Sequence, residues 1–141
     1  MRVADIMTTE VTTLGPRATL AEAAEELRLG RIRHLPIVDK DEVLVGLITH
    51  RDILRAQDRL DQPIERFMPT DIKTVGPDTA AHEAAYVLLR YPIGCVPITD
   101  DRGVLVGIVT ESDFVRIAYT KLGGRVPVDE IEHEELESER V

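Results

Sequence analysis

The chain has no tryptophan, a single cysteine (Cys95) and only two serines (Ser112 and Ser138), and aromatics make up 4% of its 141 residues. One cysteine excludes an internal disulfide framework and cannot build a thiolate zinc site. Neither serine occupies a nucleophile elbow, and no glycine-rich stretch has the spacing of a dinucleotide fingerprint or a phosphate loop. His34, His50, His82 and His133 show no paired metal-ligand spacing. No apolar run approaches the ~20 residues of a membrane span. The start, Met1-Arg2-Val3-Ala4-Asp5, lacks the charged-then-apolar layout of a secretory signal. Basic residues are outnumbered 26 to 17, for a formal net charge of −9. Nonspecific binding to nucleic acid or anionic lipid needs an excess of Lys and Arg, so both partners are disfavoured. The expectation is a cytoplasmic protein with no catalytic residues, no bound metal and no required cofactor.

The negative charge is concentrated at the end. From Arg125 onward seven acids (Asp129, Glu130, Glu132, Glu134, Glu135, Glu137 and Glu139) face only Arg125 and Arg140. Residues 125–141 therefore read as an acidic tail, either a solvated helix or a disordered end.

What the chain does have is a repeat. Its hydrophobic fraction of 43% comes mainly from leucine, isoleucine, valine and alanine, enough for two small, mutually dependent halves. Shifted by 61 residues against itself, the sequence aligns without a gap, Met7 on Met68. Thr13-Leu14-Gly15-Pro16 falls on Thr74-Val75-Gly76-Pro77, and Glu22-Ala23-Ala24 on Glu83-Ala84-Ala85. Pro36-Ile37 meets Pro97-Ile98, and Val43-Leu44-Val45-Gly46 recurs unchanged as Val104-Leu105-Val106-Gly107. Thr49, Asp52 and Arg55 recur as Thr110, Asp113 and Arg116. The chain divides into repeat 1 (1–60), repeat 2 (61–124) and the tail.

Each unit reads as β-α-β-β-α. A β-rich start (Val11–Leu14; Ile72–Val75) ends at a Gly-Pro turn. A helix follows with Leu20, Ala23, Ala24 and Leu27, or Ala81, Ala84, Ala85 and Leu88, at the spacing of one buried face. Thr19 and Glu22 fit a capping box at the first helix start. Two short apolar strands come next, Leu35–Val38 and Val43–Ile48 in the first unit, split by Asp39-Lys40-Asp41-Glu42. The matching turn, Asp100-Asp101-Arg102-Gly103, ends on a glycine that tolerates positive φ. A last helix starts near His50 and near Glu111, and Gly123-Gly124 is a stop signal. The class is α+β. One unit of about 55 residues is marginal alone. Two units packed sheet to sheet with pseudo-twofold symmetry bury what each leaves exposed.

A Thr-x-Gly-Pro strand end, a hydrophobe-Pro-hydrophobe segment and a Gly-hydrophobe-hydrophobe-Thr-x-x-Asp box, each present twice, resemble the cystathionine-β-synthase-like (CBS) repeat. The boxes are Gly46-Leu47-Ile48-Thr49-His50-Arg51-Asp52 and Gly107-Ile108-Val109-Thr110-Glu111-Ser112-Asp113. The resemblance covers residues 1 to about 121. It implies a paired module that commonly dimerises into a disc. It also implies regulation of an effector protein and binding of an adenosine ligand (AMP, ADP, ATP or S-adenosylmethionine) in clefts between the repeats, so that the module reports cellular energy state. Carried residue by residue onto this chain, it makes Thr13, Arg33, His34, Pro36, Ile37, Thr49, Arg51 and Asp52 the candidate contacts of the first repeat. Those of the second are Thr74, Gly94, Cys95, Pro97, Ile98, Thr110, Ser112 and Asp113.

Residue chemistry leaves alternatives open at this point. Thr-x-x-Asp is equally a helix cap. As a ligand site, the carboxylate accepts ribose hydroxyls in charge-assisted hydrogen bonds. Thr13 and Thr74, with Val11 and Ile72, line an adenine pocket in this reading, opposite Ile37 and Ile98. Arg31, Arg33, His34 and Arg51 form a basic cluster, with arginine forks suited to phosphate. The second repeat has Pro92, Gly94, Cys95 and Ser112 there. The two sites are therefore expected to be unequal, with phosphate recognised at the first. The alternative is a ligand-free oligomerisation or protein-interaction module.

Overall fold

The computed structural model describes residues 1–126. The acidic tail lies outside the described residues from position 127 on. The first repeat holds α1 (Leu20–Gly30), β1 (His34–Val38), β2 (Leu44–Thr49) and α2 (His50–Arg55). The second holds α3 (Ala81–Arg90), β3 (Cys95–Thr99), β4 (Leu105–Thr110) and α4 (Glu111–Lys121). Single 3-10 turns occur at Val3–Asp5, Gln57–Arg59 and Ile64–Arg66.

The helices form where the apolar spacing places them. α1 buries Leu20, Ala23 and Leu27, and α3 buries Ala81, Ala84 and Leu88. The capping box is present: Thr19 Oγ1 accepts from the Glu22 N–H at 3.1 Å, and Glu22 accepts from the Thr19 N–H at 3.2 Å. In the second repeat Ala80 occupies the capping position and has no side-chain oxygen to offer.

Each sheet is an antiparallel hairpin, with His34 opposite Thr49 in one and Cys95 opposite Thr110 in the other. Their turns are built alike. Asp39 Oδ1 accepts from the N–H groups of Asp41 and Val43, and Asp100 Oδ1 from those of Arg102 and Val104. The residue two before the second strand has positive φ in both: 83° at Gly103 and 66° at Glu42. Only glycine adopts that conformation without a Cβ penalty, so the first turn carries strain the second does not.

The β-rich starts are not strands. Leu14 and Val75 each form one isolated parallel bridge, to Ile37 and Ile98. The β-branched run favours extended backbone, but only one residue of each segment finds a partner. The observed order within each repeat is therefore extended segment, α, β, β, α.

The halves are locked by an exchange of segments. Val3, near the start of repeat 1, is fully buried in the core of repeat 2 with Ala84, Leu88, Val96, Ile98 and Val109. Ile64, its equivalent 61 residues later, is fully buried in the core of repeat 1 with Leu20, Ala23, Leu27 and Ile37. Each burial contributes roughly 1.5–3 kcal/mol. Backbone bonds repeat the symmetry. The Val3 N–H donates to Thr79 O at 2.8 Å, and the Ile64 N–H to Ala18 O at 2.8 Å. The hairpin ends also meet across the seam, with the Leu44 N–H donating to Gly103 O and the Leu105 N–H to Glu42 O, both at 3.0 Å. The two sheets meet at these hairpin ends, and neither half has a complete core alone.

The exchanged segments explain two glycines. Met68 lies directly over Gly46 and Met7 over Gly107, where a Cβ would fall 2.6 Å from the Met7 sulfur. The methionine near each repeat start and the glycine of the Thr-x-x-Asp box are thus one packing device.

Candidate functional site

β2 and β4 each run straight into a helix through the Thr-x-x-Asp boxes. Thr49 and Asp52 cap α2: the Asp52 N–H donates to Thr49 Oγ1 at 3.2 Å, and Asp52 Oδ2 accepts from the Thr49 N–H and Oγ1, both at 2.9 Å. Oδ1 of Asp52 accepts no bond from the described residues. Thr110 and Asp113 make the same box, with Asp113 Oδ2 accepting from the Thr110 N–H at 2.8 Å. There, however, Oδ1 also accepts from Arg116 at 2.7 Å. The capping role is therefore fulfilled in both repeats, and one carboxylate oxygen of Asp52 is left for another donor.

The segments before β1 and β3 pack on these helix starts. The His50 N–H donates to Arg33 O at 3.1 Å, and the Glu111 N–H to Gly94 O at 3.2 Å. His34 crosses the seam. A Cβ built on Gly94 would fall 2.7 Å from its Nε2, so the small residue in repeat 2 makes room for the imidazole of repeat 1. Burial holds the His34 pKa below the ordinary histidine value; nearby Glu111 opposes the shift and Arg33 adds to it. The imidazole is therefore neutral near pH 7 and adds no charge to the basic cluster. Arg31, Arg33 and Arg51 are exposed, as is Ser112. Arg31 has positive φ at the end of α1.

Five candidate contacts are core. Pro36, Ile37, Cys95, Pro97 and Ile98 are each less than 2% exposed. Ile37 and Ile98, expected opposite Thr13 and Thr74, lie in the cores under α1 and α3. Burial also pushes the Cys95 thiol up to about 12, so it stays protonated and inert.

Thr13 is half-buried and Thr74 exposed. Thr74 lines two open clefts that also share Thr99. One, of 220 Å³, lies between the repeats and is bounded by Leu44 of repeat 1 and Thr70, Ile72, Thr74, Thr99 and Gly103 of repeat 2. The other, of 390 Å³, is bounded by residues Thr74–Thr79 and Thr99–Asp101, all of repeat 2. The larger falls at the lower end of the range of small-molecule sites. Ile72 and Thr74 were expected in a pocket; Leu44, Thr70, Thr99 and Gly103 were not. Neither cleft is lined by Thr49, Asp52, Thr110 or Asp113. The inter-repeat cleft does border β2, because the Leu47 N–H donates to Pro69 O at 3.3 Å and brings the segment leading to Thr74 alongside that strand. Among the described residues no three His, Cys, Asp or Glu side chains converge as a metal set, and no helix is long and apolar enough to cross a membrane.

The CBS domain family matches the chain twice, over residues 3–59 and 64–119. The chain belongs to the CBS domain family. Its solved neighbours are CBS pairs. The CBS domain pair of protein MJ0100, in complex with 5′-methylthioadenosine and S-adenosyl-L-methionine, is 36% identical with a TM-score of 0.80, over 86% of this chain and 98% of that one. The putative acetoin utilization protein AcuB from Vibrio cholerae is 38% identical with a TM-score of 0.80, over 86% and 93%. CBSX2 in complex with AMP is 26% identical with a TM-score of 0.79, over 84% and 96%. An uncharacterized 17.7 kDa protein of Acidianus ambivalens is 36% identical over 82% of this CBS chain and 71% of its own length. Relatives that are enzymes match over a small part of themselves. The homoserine O-acetyltransferase of Methanohalophilus mahii is 37% identical, but the CBS chain spans 23% of it.

Proposed function

We propose that this CBS pair is a non-enzymatic regulatory module that binds an adenosine-containing ligand in the cleft between its repeats. The observation that carries the reading is the open cleft between the repeats, bounded by Leu44 of the first and Thr70, Ile72 and Thr74 of the second. The Thr49–Asp52 and Thr110–Asp113 boxes offer carboxylates to a sugar hydroxyl, and one oxygen of Asp52 accepts no bond from the described residues. The likeness to pairs solved with AMP, 5′-methylthioadenosine and S-adenosyl-L-methionine supports the ligand class. The adenosine ligand is regulatory, and no other cofactor is required. Occupancy shifts the packing of the two halves by the ligand's differential affinity for the two packings, and an effector protein reads the change. AMP or ATP as ligand makes the module an energy sensor in the cytoplasm. Leu54 on α2 and Val115 on α4 are exposed at equivalent positions, a surface suited to pairing two copies as a homodimer.

A second reading, a ligand-free oligomerisation module, draws on the capping boxes, which already satisfy both threonines. Thermal unfolding separates the two. At a hundredfold excess over Kd, AMP, ATP or S-adenosylmethionine adds about 2.7 kcal/mol to the native state, and the melting temperature rises. In the Asp52→Ala, Asp113→Ala double variant that rise is lost. No rise with any of the three in the wild-type chain favours the ligand-free module.

A further inference from the structure

We propose that the outer face of α3 is a docking surface for the chain's own acidic tail, residues 127–141. The two repeats part company at this face. In α1 it carries Glu25 and Arg28, an exposed ion pair at 2.6 Å. The equivalent positions of α3 hold Tyr86 and Leu89, which are 61% and 87% exposed. Residues three apart are neighbours on a helix surface, so a self-satisfied polar pair has become an uncovered apolar one. Just past the helix end, Tyr91 stands where the first repeat has Gly30. Two cations lie over its ring, Lys73 Nζ at 4.8 Å from the centroid and the Arg90 guanidinium at 5.4 Å. The first repeat has Thr12 and Leu29 in their places. The exposed Leu54 and Val115 of α2 and α4, by contrast, are common to both repeats.

Three observations select the tail as occupant. The first is position: the apolar pair belongs to the repeat that the tail follows. The second is direction and reach. The Gly124 N–H donates to Tyr119 O at 2.8 Å and the Val126 N–H to the Tyr119 hydroxyl at 2.9 Å, so after Lys121 the backbone turns back along α4, which packs against α3. Residues 127–141 span about 50 Å fully extended and about 22 Å at helical rise, while α3 is about 15 Å long. The third is complementarity. Val128, Ile131 and Leu136 are apolar side chains set among seven acids, a match for Tyr86 and Leu89 beside Lys73 and Arg90. The acid of α3 itself, Glu83, lies in its first turn, at the end away from those cations. Exposed ion pairs hold weakly, so the apolar contacts secure the tail and the charges set its position.

A nitroxide attached at Ser138→Cys in the full chain, with no nucleotide present, tests this by paramagnetic broadening of the backbone amide signals. Cys95 is buried and does not take the label. The amides of Lys73 and of residues 85–91 are expected to lose most of their intensity. Those of residues 24–30, the matching stretch of α1, are expected to keep theirs. Tyr86→Glu combined with Leu89→Arg puts the first repeat's pair on α3 and is expected to restore the lost intensity. Leu89→Ser alone replaces it if the amide spectrum shows that the double variant does not fold. A second sample mixes labelled chain lacking 15N with 15N chain lacking the label, and no broadening at α3 is expected there. Undiminished intensity at α3 in the first sample, or broadening that persists in the folded variant, overturns the proposal. Equal broadening in the mixed sample also overturns it, because the occupant is then the tail of a second copy.

Discussion

Ile64→Ala is expected to lower stability by about 2–5 kcal/mol in urea unfolding followed by circular dichroism, the range for truncating a buried isoleucine. The residue belongs to the second matched span yet has no exposed surface in the core of the first repeat, among Leu20, Ala23, Leu27 and Ile37. The alanine leaves a cavity that the surrounding helix and hairpin fill only in part. A small protein has about 5–15 kcal/mol in total, so this one side chain carries a large share. The loss appears as a single cooperative transition, because Val3 ties the second core to the first chain segment just as Ile64 ties the first core to the second. A cost below about 1 kcal/mol, or two separate transitions in the wild type, contradicts the exchange of segments as the basis of stability.

The second large effect is at the glycine beneath Met68. A Cβ on Gly46 would overlap the Met68 sulfur and lie 2.8 Å from its Cγ, closer than real contacts allow. Gly46→Ala is expected to cost about 1–3 kcal/mol, because the thioether must leave its rotamer or the crossing segment must lift from β2. Met68→Ala alone removes packing from a half-buried side chain and costs less than a full core truncation. Combined, the two substitutions are expected to be less harmful than their sum, with a coupling of at least about 0.5 kcal/mol, because the alanine at 68 vacates the space the new methyl needs. Strict additivity in a double-mutant cycle contradicts direct contact.

Much of this was readable in the sequence, and the exceptions share a physical character. The gapless repeat, the Thr19–Glu22 cap, the hairpin turns at Asp39 and Asp100 and the helix starts after Thr49 and Thr110 depend on neighbours in the chain, and local pattern specifies them. The alignment paired Met7 with Met68 and left open which core each would cover, since that is a choice between two nearly identical surfaces. Val11–Leu14 and Ile72–Val75 have the composition of strands and the dihedral preference of extended chain, but pairing needs a neighbouring edge, and only Leu14 and Val75 reach one. Ile37 and Ile98 look alike as core or as pocket wall. That the two sites differ is an expectation from Arg33, His34 and Arg51. The bond from Arg116 to Asp113 was not legible, because Arg55 and Arg116 are equivalent in the repeat and only their side-chain placement separates them.

The location of the ligand is the most direct test of the module as an adenosine sensor. In a 15N-labelled sample titrated with AMP or S-adenosylmethionine, the backbone amides of residues 49–52 and 70–74 are expected to shift most, in step with saturation. Saturating binding that moves neither group and perturbs only the outer faces of α1 and α3 contradicts a site at the junction of the repeats.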